Sequence, residues 1–251
     1  MEIELNLLIA REDLDRVFGA QVVKRCAQGG AQTSELTNVY YDTPELDLHS
    51  ERLALRLRRI YVNSGEHWLQ ALKGGAASTA GLTEREEYEW PVPGRSVDLT
   101  LLDATPYGPV FAKRRVREAL RPVFTTHFAR TLQQLALADG AQAELCADLG
   151  EIRAGNRRAP VCEVEIELKS GSPQPAVLFG FAAELLQEVP FRLGALSKAE
   201  RGYALYRNAP LRPRKALPVV LGPDMSRAEV LQAVARGCLA QIHANEEGFL
   251  D

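Results

Sequence analysis

Four short stretches of the chain place charged side chains two residues apart: Glu2 and Glu4; Arg56 and Arg58; Arg85, Glu87 and Glu89; and Glu163, Glu165 and Glu167. Lys73 stands near the end of a further extended run. Successive side chains of a strand point to opposite faces, so each set shares one face. The alternate positions are apolar: Ile3 and Leu5; Leu55 and Leu57; Val164, Ile166 and Leu168. Carboxylates are hard oxygen ligands for Mg²⁺ or Mn²⁺. Arginine and lysine clamp phosphate oxygens, arginine bidentately. Together they suit a polyphosphate held between a cationic cradle and a bound metal. An antiparallel sheet with one wet face also alternates. Such faces mix Thr, Ser, Lys and Gln, whereas here carboxylates gather on some strands and guanidinium groups on others. Closed into a barrel with that face inside, the strands would line a lumen with acidic and basic walls.

The elements that must carry these residues follow from periodicity. Glu2 to Ile9 reads as a strand. A helix is expected from about Glu12 to Arg25, with Leu14, Val17 and Phe18 as its stripe and Gly29-Gly30 as its stop. Strand signals recur at Asn38–Asp42, Ala54–Val62, His67–Lys73, Thr83–Val92, Phe124–Ala138, Ala143–Leu149 and Val161–Lys169. Gly74-Gly75 and Asp139-Gly140 read as turns. About Asp98 to Arg121 reads as helix with loops. Ser172-Pro173 should open one helix and the capping box Ser197-Lys198-Ala199-Glu200 another. Four prolines between Pro210 and Pro223 read as an extended linker. A second capping box, Ser226 to Glu229, should start a helix to about Asn245, with Val230, Leu231, Val234, Leu239 and Ile242 as its apolar side. One such helix has little to pack on, so the chain is expected to hold only the start of a second, helical domain.

The composition excludes other classes. The 251 residues are 46% hydrophobic and 25% charged, which is ordinary for a globular chain. A net charge of −3 argues against coating nucleic acid or a membrane through bulk charge. The chain opens on Met1-Glu2-Ile3-Glu4, so no signal peptide is expected, and no apolar run approaches the roughly 18 residues that cross a bilayer. Cys26, Cys146, Cys162 and Cys238 have neither zinc-site nor disulfide spacing, which fits a reducing cytoplasm. His49, His67, His127 and His243 are scattered and carry no assigned role. There is no GxxxxGK, GxGxxG, HExxH or GxSxG motif.

In order along the chain, several blocks resemble the CYTH domains, the triphosphate tunnel metalloenzymes. Glu2-Ile3-Glu4-Leu5-Asn6 is similar to the opening ExExK signature except at Asn6, where the family has lysine. Tyr40-Tyr41-Asp42-Thr43-Pro44-Glu45-Leu46, Leu55-Arg56-Leu57-Arg58 and Gln70-Ala71-Leu72-Lys73-Gly74 resemble the next blocks. Cys162 to Leu168 resembles the late acidic strand, and Ser197 to Tyr203 the closing helix. The resemblance covers roughly Met1 to Arg207. It implies an α+β fold: an antiparallel barrel of about eight strands forming a tunnel, with flanking helices and a C-terminal helix. It divides the chain into a tunnel domain over residues 1–208, a linker over 209–223 and, over 224–251, the first helix of a CHAD-like module, a helical domain linked to polyphosphate.

The resemblance further implies hydrolysis or cyclisation of a triphosphate inside the tunnel with Mg²⁺ or Mn²⁺, inorganic triphosphate being the expected substrate and inorganic triphosphate or polyphosphate the expected partner. Glu2, Glu4, Glu163 and Glu165 match metal-binding acids, with Asp148, Glu87 and Glu89 as further ligands. Arg56, Arg58, Lys73, Arg130 and Lys198 match the phosphate cradle, joined by Arg85 and Arg201. Tyr40 with Lys73 matches a water-activating pair of one branch. Thiamine triphosphatase and class IV adenylate cyclase are alternatives on the same fold. Either needs aromatic residues at the tunnel mouth; Tyr61 and Trp68 are placed for it, whereas alternation sends Trp90 to the core. The uncharged Asn6 motivates a third reading, a polyphosphate-binding module without catalysis.

Overall fold

The computed structural model describes residues 1–62, 65–79, 81–171, 174–209 and 213–250. In chain order it contains β1 (Glu2–Ile9), a 3-10 turn (Leu14–Gly19), α1 (Gln21–Cys26), β2 (Ala27–Asp42), α2 (Asp47–Ser50), β3 (Ala54–Val62), β4 (Gly65–Thr79) and β5 (Leu82–Val92). There follow α3 (Leu99–Asp103), α4 (Gly108–Phe111), α5 (Arg114–Ala119), β6 (Arg121–Ala136), β7 (Gln142–Ala154), β8 (Arg157–Ser170), α6 (Ala176–Leu185), β9 (Phe191–Leu193), α7 (Lys198–Arg207) and α8 (Arg227–Leu250).

The strands run β5-β4-β3-β2-β6-β7-β8-β1, all antiparallel, and β5 pairs back onto β1, so eight strands form an irregular closed ring. One edge of β1 serves two partners. Its first half pairs with β5 through Glu2↔Arg85 and Leu5↔Leu82, and its second half pairs with β9 through Leu7↔Leu193. Closure is partial: β5 meets β1 over Leu82–Arg85, and the rest of β5 pairs with β4 alone.

The alternating pattern is turned inside out relative to an ordinary barrel. The apolar face points outward and is buried under helices. Leu5, Leu7, Leu145, Val164 and Ile166 pack with Val22, Val23, Leu178, Phe181 and Leu185 of α1 and α6. Leu55 and Leu72 pack with Leu102, Phe111 and Val116 of α3 to α5, with Trp90 against the same cluster. Each such leucine contributes roughly 1.5–3 kcal/mol by leaving water, and the charged positions are left to the lumen.

Several expected elements differ. The Glu12–Arg25 helix is two pieces, separated at Ala20, whose backbone is extended. At about 100° per residue an unbroken helix would set Val23 about 180° from Leu14; the break lets Leu14, Val17, Val22 and Val23 enter one core. Gly29-Gly30 stops no helix but lies inside β2, where the pairing with β6 shifts register between Gln28 and Gln32. Gly74-Gly75 is not a turn either. It sits at a register shift inside β4, and a Cβ on Gly74 would stand 2.6 Å from Leu53 and 2.8 Å from the Tyr107 ring. The Asp139-Gly140 turn forms, with both residues at positive φ. The capping box of α7 is complete, and Ser226 and Glu229 exchange backbone N–H bonds at the start of α8. Ser172-Pro173 lies outside the described residues. Beyond the barrel, α8 leaves Leu231, Leu239 and Ile242 largely exposed. Among the described residues no helix is long and apolar enough to cross a membrane.

Candidate active site

The barrel encloses a cavity of about 880 Å³, within the roughly 300–1,000 Å³ usual for small-molecule sites. Twelve of the fifteen sequence-derived site residues line it: Glu2, Glu4, Tyr40, Arg56, Arg58, Lys73, Arg85, Glu87, Glu89, Arg130, Glu165 and Lys198. Asp148 and Glu163 lie behind this surface, fully buried, and Arg201 pairs with Glu163.

Two ion-pair groups fill the lumen. In the first, the Lys73 ammonium donates to both oxygens of Glu2 at 2.8 and 2.9 Å and stands 3.1 Å from Glu87. Arg85 donates to Glu2 at 2.5 Å and to Glu4 at 2.7 Å, and Arg56 reaches Glu87 at 3.2 Å. In the second, Arg130 donates to both oxygens of Asp148 at 2.7 and 2.6 Å and to Glu165 at 2.6 Å. Lys198 donates to Glu165 at 2.8 Å and lies 2.7 Å from Asp148, and it also touches Glu163.

Register explains the second group. Arg130, Asp148 and Glu163 are directly opposed across β6, β7 and β8, and α7 packs against these strands and delivers Lys198 and Arg201. Its fit is close: a Cβ on Gly202 would stand 2.1 Å from the Phe124 ring. Arg157 of β8 holds the other end of α7, donating to the carbonyls of Leu205 and Tyr206 at 2.7 and 2.6 Å.

Burial and charge divide the carboxylates. Burial pushes Glu2 up, but Lys73 and Arg85 outweigh it and hold its carboxyl well below the usual range. Glu165 is likewise held low against burial by Lys198 and Arg130. Glu4 goes the other way: burial pushes it up to about 7, and the repulsion of Glu165 adds to what Arg85 offsets. Lys73 is lowered by burial and by Arg85 and Arg56. Arg58 is pulled down to about 10, first by burial and then by Arg56 and Arg130.

Arg58 stands apart from the other deep cations. Among the described residues no carboxylate lies within 4 Å of it. Its Nε donates to Asn38 Oδ1 at 2.9 Å, and the buried Asn38 amide donates to Thr126 at 2.8 Å. The side chain is thus aimed without a close ion pair, which favours an anion.

Oxygens of Asp148, Glu163 and Glu165 all lie within 4.8 Å of one another. This all-carboxylate set fits a hard divalent cation. Glu2 and Glu4 form a separate pair on Arg85. Tyr40 and Lys73 are not hydrogen-bonded to each other: Lys73 is held by Glu2 and Glu87, while Tyr40 stacks on Phe124 with ring centroids 4.4 Å apart. Asn6 is directly opposite Glu165 in the β1–β8 ladder, yet it is outside the cavity lining. It is buried against Gly194, and its Oδ1 has no hydrogen-bond partner.

Asn38 was legible as a neighbour two residues from Tyr40 on the same face. Glu144 and Lys169, which line the cavity with Glu167, also continue face patterns on β7 and β8. Arg52 lines the cavity two residues before β3 begins, and Arg214 lines it from the segment after α7, where the sequence carries no periodic signal.

A closed antiparallel ring with charged walls defines a tunnel protein. The CYTH domain family matches residues 1–203, and the chain belongs to that family. An inorganic triphosphatase of Haemophilus influenzae is 32% identical over 170 residues, 68% of this chain and 46% of that relative. The chain therefore spans less than half the length of that curated relative. Among solved structures, HpAC1 of Hippeastrum, a candidate adenylyl cyclase described as having a dominant triphosphatase activity, aligns at 19% identity and a TM-score of 0.55, covering 83% of this chain and 96% of that one. A candidate adenylate cyclase of Bacillus halodurans aligns at 17% identity and a TM-score of 0.50, covering 80% of this chain and 96% of that one. These two likenesses concern the fold alone.

Proposed function

We propose that this chain hydrolyses inorganic triphosphate to pyrophosphate and phosphate inside the tunnel, with Mg²⁺ or Mn²⁺, in the cytoplasm. The observation that carries the reading is the lumen itself, where buried cations from strands and from α7 stand against buried carboxylates. The likeness to the H. influenzae triphosphatase supports it.

Asp148, Glu163 and Glu165 would hold a metal, Glu2 and Glu4 would offer a second pair of carboxylates, and Glu87 and Glu89 line the same lumen. When bound, the metal supplies charge neutralisation on phosphate oxygens. Arg58 is the first anchor because it gives up no ion pair. Arg56, Arg130 and Lys198 exchange carboxylates for phosphate oxygens, with Arg85 and Arg201 steadying the acids they touch. This holds the terminal phosphorus in line with a water whose oxygen bonds to it as the bridging P–O bond breaks and pyrophosphate departs. Lys73, with its lowered proton affinity, and Tyr40 are assigned to orienting that water.

Residues 209–223 are read as the linker and 224–251 as the start of a CHAD-like module, which fits the bare apolar face of α8. The test is phosphate release from tripolyphosphate with each metal, beside ATP and thiamine triphosphate. Release from tripolyphosphate in preference to both supports the reading. No metal-dependent release from any of the three overturns it in favour of a binding module.

A further inference from the structure

Two cations at the α7 end of the cavity belong to neither ion-pair group. Arg52, two residues before β3, and Arg214, in the segment after α7, both line the cavity, and among the described residues neither has a carboxylate within 4 Å. Arg214 is held in place from outside the barrel. Its N–H donates to Asn245 Oδ1 at 2.7 Å, and its carbonyl accepts from Gln241 at 2.5 Å and Asn245 at 3.1 Å, both on α8. The Asn245 amide is itself tied to the Gln241 carbonyl at 2.8 Å. Glu200, also at this end, is engaged with the Ser197 N–H at 2.8 Å.

The far end has the opposite balance. There Glu144 and Glu167 share one cation, Lys169, at 3.0 and 2.7 Å. An anionic chain lying in the lumen is therefore drawn toward Arg52 and Arg214 and repelled at the other mouth. Side chains of residues 52, 54, 56, 58 and 60 all line the cavity, so Arg52 continues the ladder of Arg56 and Arg58 outward. The strand from Ala54 to Arg58 alone rises about 13 Å, and Arg52 lies beyond it in the turn before β3, at φ 58. Phosphates anchored at Arg58 therefore meet Arg52 only as the chain lengthens.

We propose that Arg52 and Arg214 form an outer anion subsite that binds the additional phosphates of linear polyphosphates longer than triphosphate, with α8 fixing Arg214 over the tunnel end. The subsite extends the triphosphate reading above and rests on it only for where the inner phosphates lie.

Binding of tripolyphosphate and of a longer linear polyphosphate of defined length is measured calorimetrically at low salt, with chelator present to prevent hydrolysis and ligand raised until the weaker metal-free binding saturates. Arg214→Ala and Arg52→Ala are each expected to weaken the longer chain roughly ten-fold, as loss of one charge-assisted contact does, and tripolyphosphate by clearly less. Arg214→Lys should retain most of the affinity, and Arg236→Ala, on α8 and outside the cavity lining, serves as the charge control. Equal weakening of both ligands, or a loss no larger than that of Arg236→Ala, overturns the subsite. Phosphate release from tripolyphosphate by the unaltered chain separates the two readings. Long-chain binding that depends on Arg214 without any release upholds the subsite and rejects hydrolysis.

Discussion

The side chains of the lumen were largely legible one by one, because period-two alternation assigns a face without any knowledge of the fold. What alternation could not convey is who pairs with whom. Glu2 and Glu4 are two residues apart on one strand, yet one is held ionised and the other is pushed up to about 7. Burial, with Glu165 adding, pushes Glu4 up, whereas Lys73, reaching Glu2 from a strand distant in sequence, and Arg85 outweigh burial there. A stability signature follows. Folded Glu4 keeps its proton to about 7, whereas an unfolded glutamate releases it near 4.5. Between those values the folded chain binds more protons, so this group's stabilisation is present below about 4.5 and lost as pH rises toward 7. The melting temperature of the wild type minus that of Glu4→Gln should therefore fall across that window; a flat difference refutes the raised carboxyl. Glu165→Gln should act on turnover instead. Its partners Arg130 and Lys198 keep Asp148, so the fold survives, while loss of a ligand carboxylate should cut metal-dependent turnover by more than about 100-fold. Near-normal turnover at limiting metal would remove Glu165 from the ligand set.

Elements were legible where punctuation and periodicity agreed, as in β3 and in the capping box of α7. They were misread where glycine served packing rather than turning. Gly74 is dictated by Leu53 and Tyr107 pressing on its Cα, and the irregularity beside it leaves β4 and β5 paired further along, to where β5 meets β1. The three-residue β9 has too little pattern to be seen alone; it exists because β1 offers it half an edge. The seat of α7 shows how an element governs chemistry. Gly202 lies against Phe124, and Lys198 begins the same helix. Gly202→Ala must push α7 off β6, costing about 1–3 kcal/mol by overpacking despite the better helix propensity of alanine. The expected result is a lower melting temperature together with a raised KM for tripolyphosphate, since Lys198 moves with the helix. A variant as stable and active as the wild type would show that α7 shifts without consequence for the lumen.

For the whole molecule, the lumen is close to self-neutralised: its cations and carboxylates mostly hold each other, and among the described residues of its lining only Arg58, Arg52 and Arg214 have no carboxylate within 4 Å. The two proposed ligands therefore depend on one another. A metal arriving alone must take carboxylates from Lys198, Arg130 or Arg85, leaving buried cations bare, which is costly. A polyphosphate arriving alone must take those cations and leave the carboxylates bare. Arriving together, each relieves what the other exposes. Binding should be positively coupled, and by linkage the coupling must be the same from either side. With a non-hydrolysable triphosphate analogue and Mg²⁺ at fixed free concentrations, each alone should raise the melting temperature little. Both together should raise it by more than the sum, toward the stabilisation of about 2.7 kcal/mol expected of a ligand at a hundred times its Kd. Glu165→Gln should reduce the coupling, because it removes one carboxylate from the exchange. Additive shifts would mean that the ion pairs persist in the loaded tunnel, with the ligands held elsewhere or through Arg58 alone.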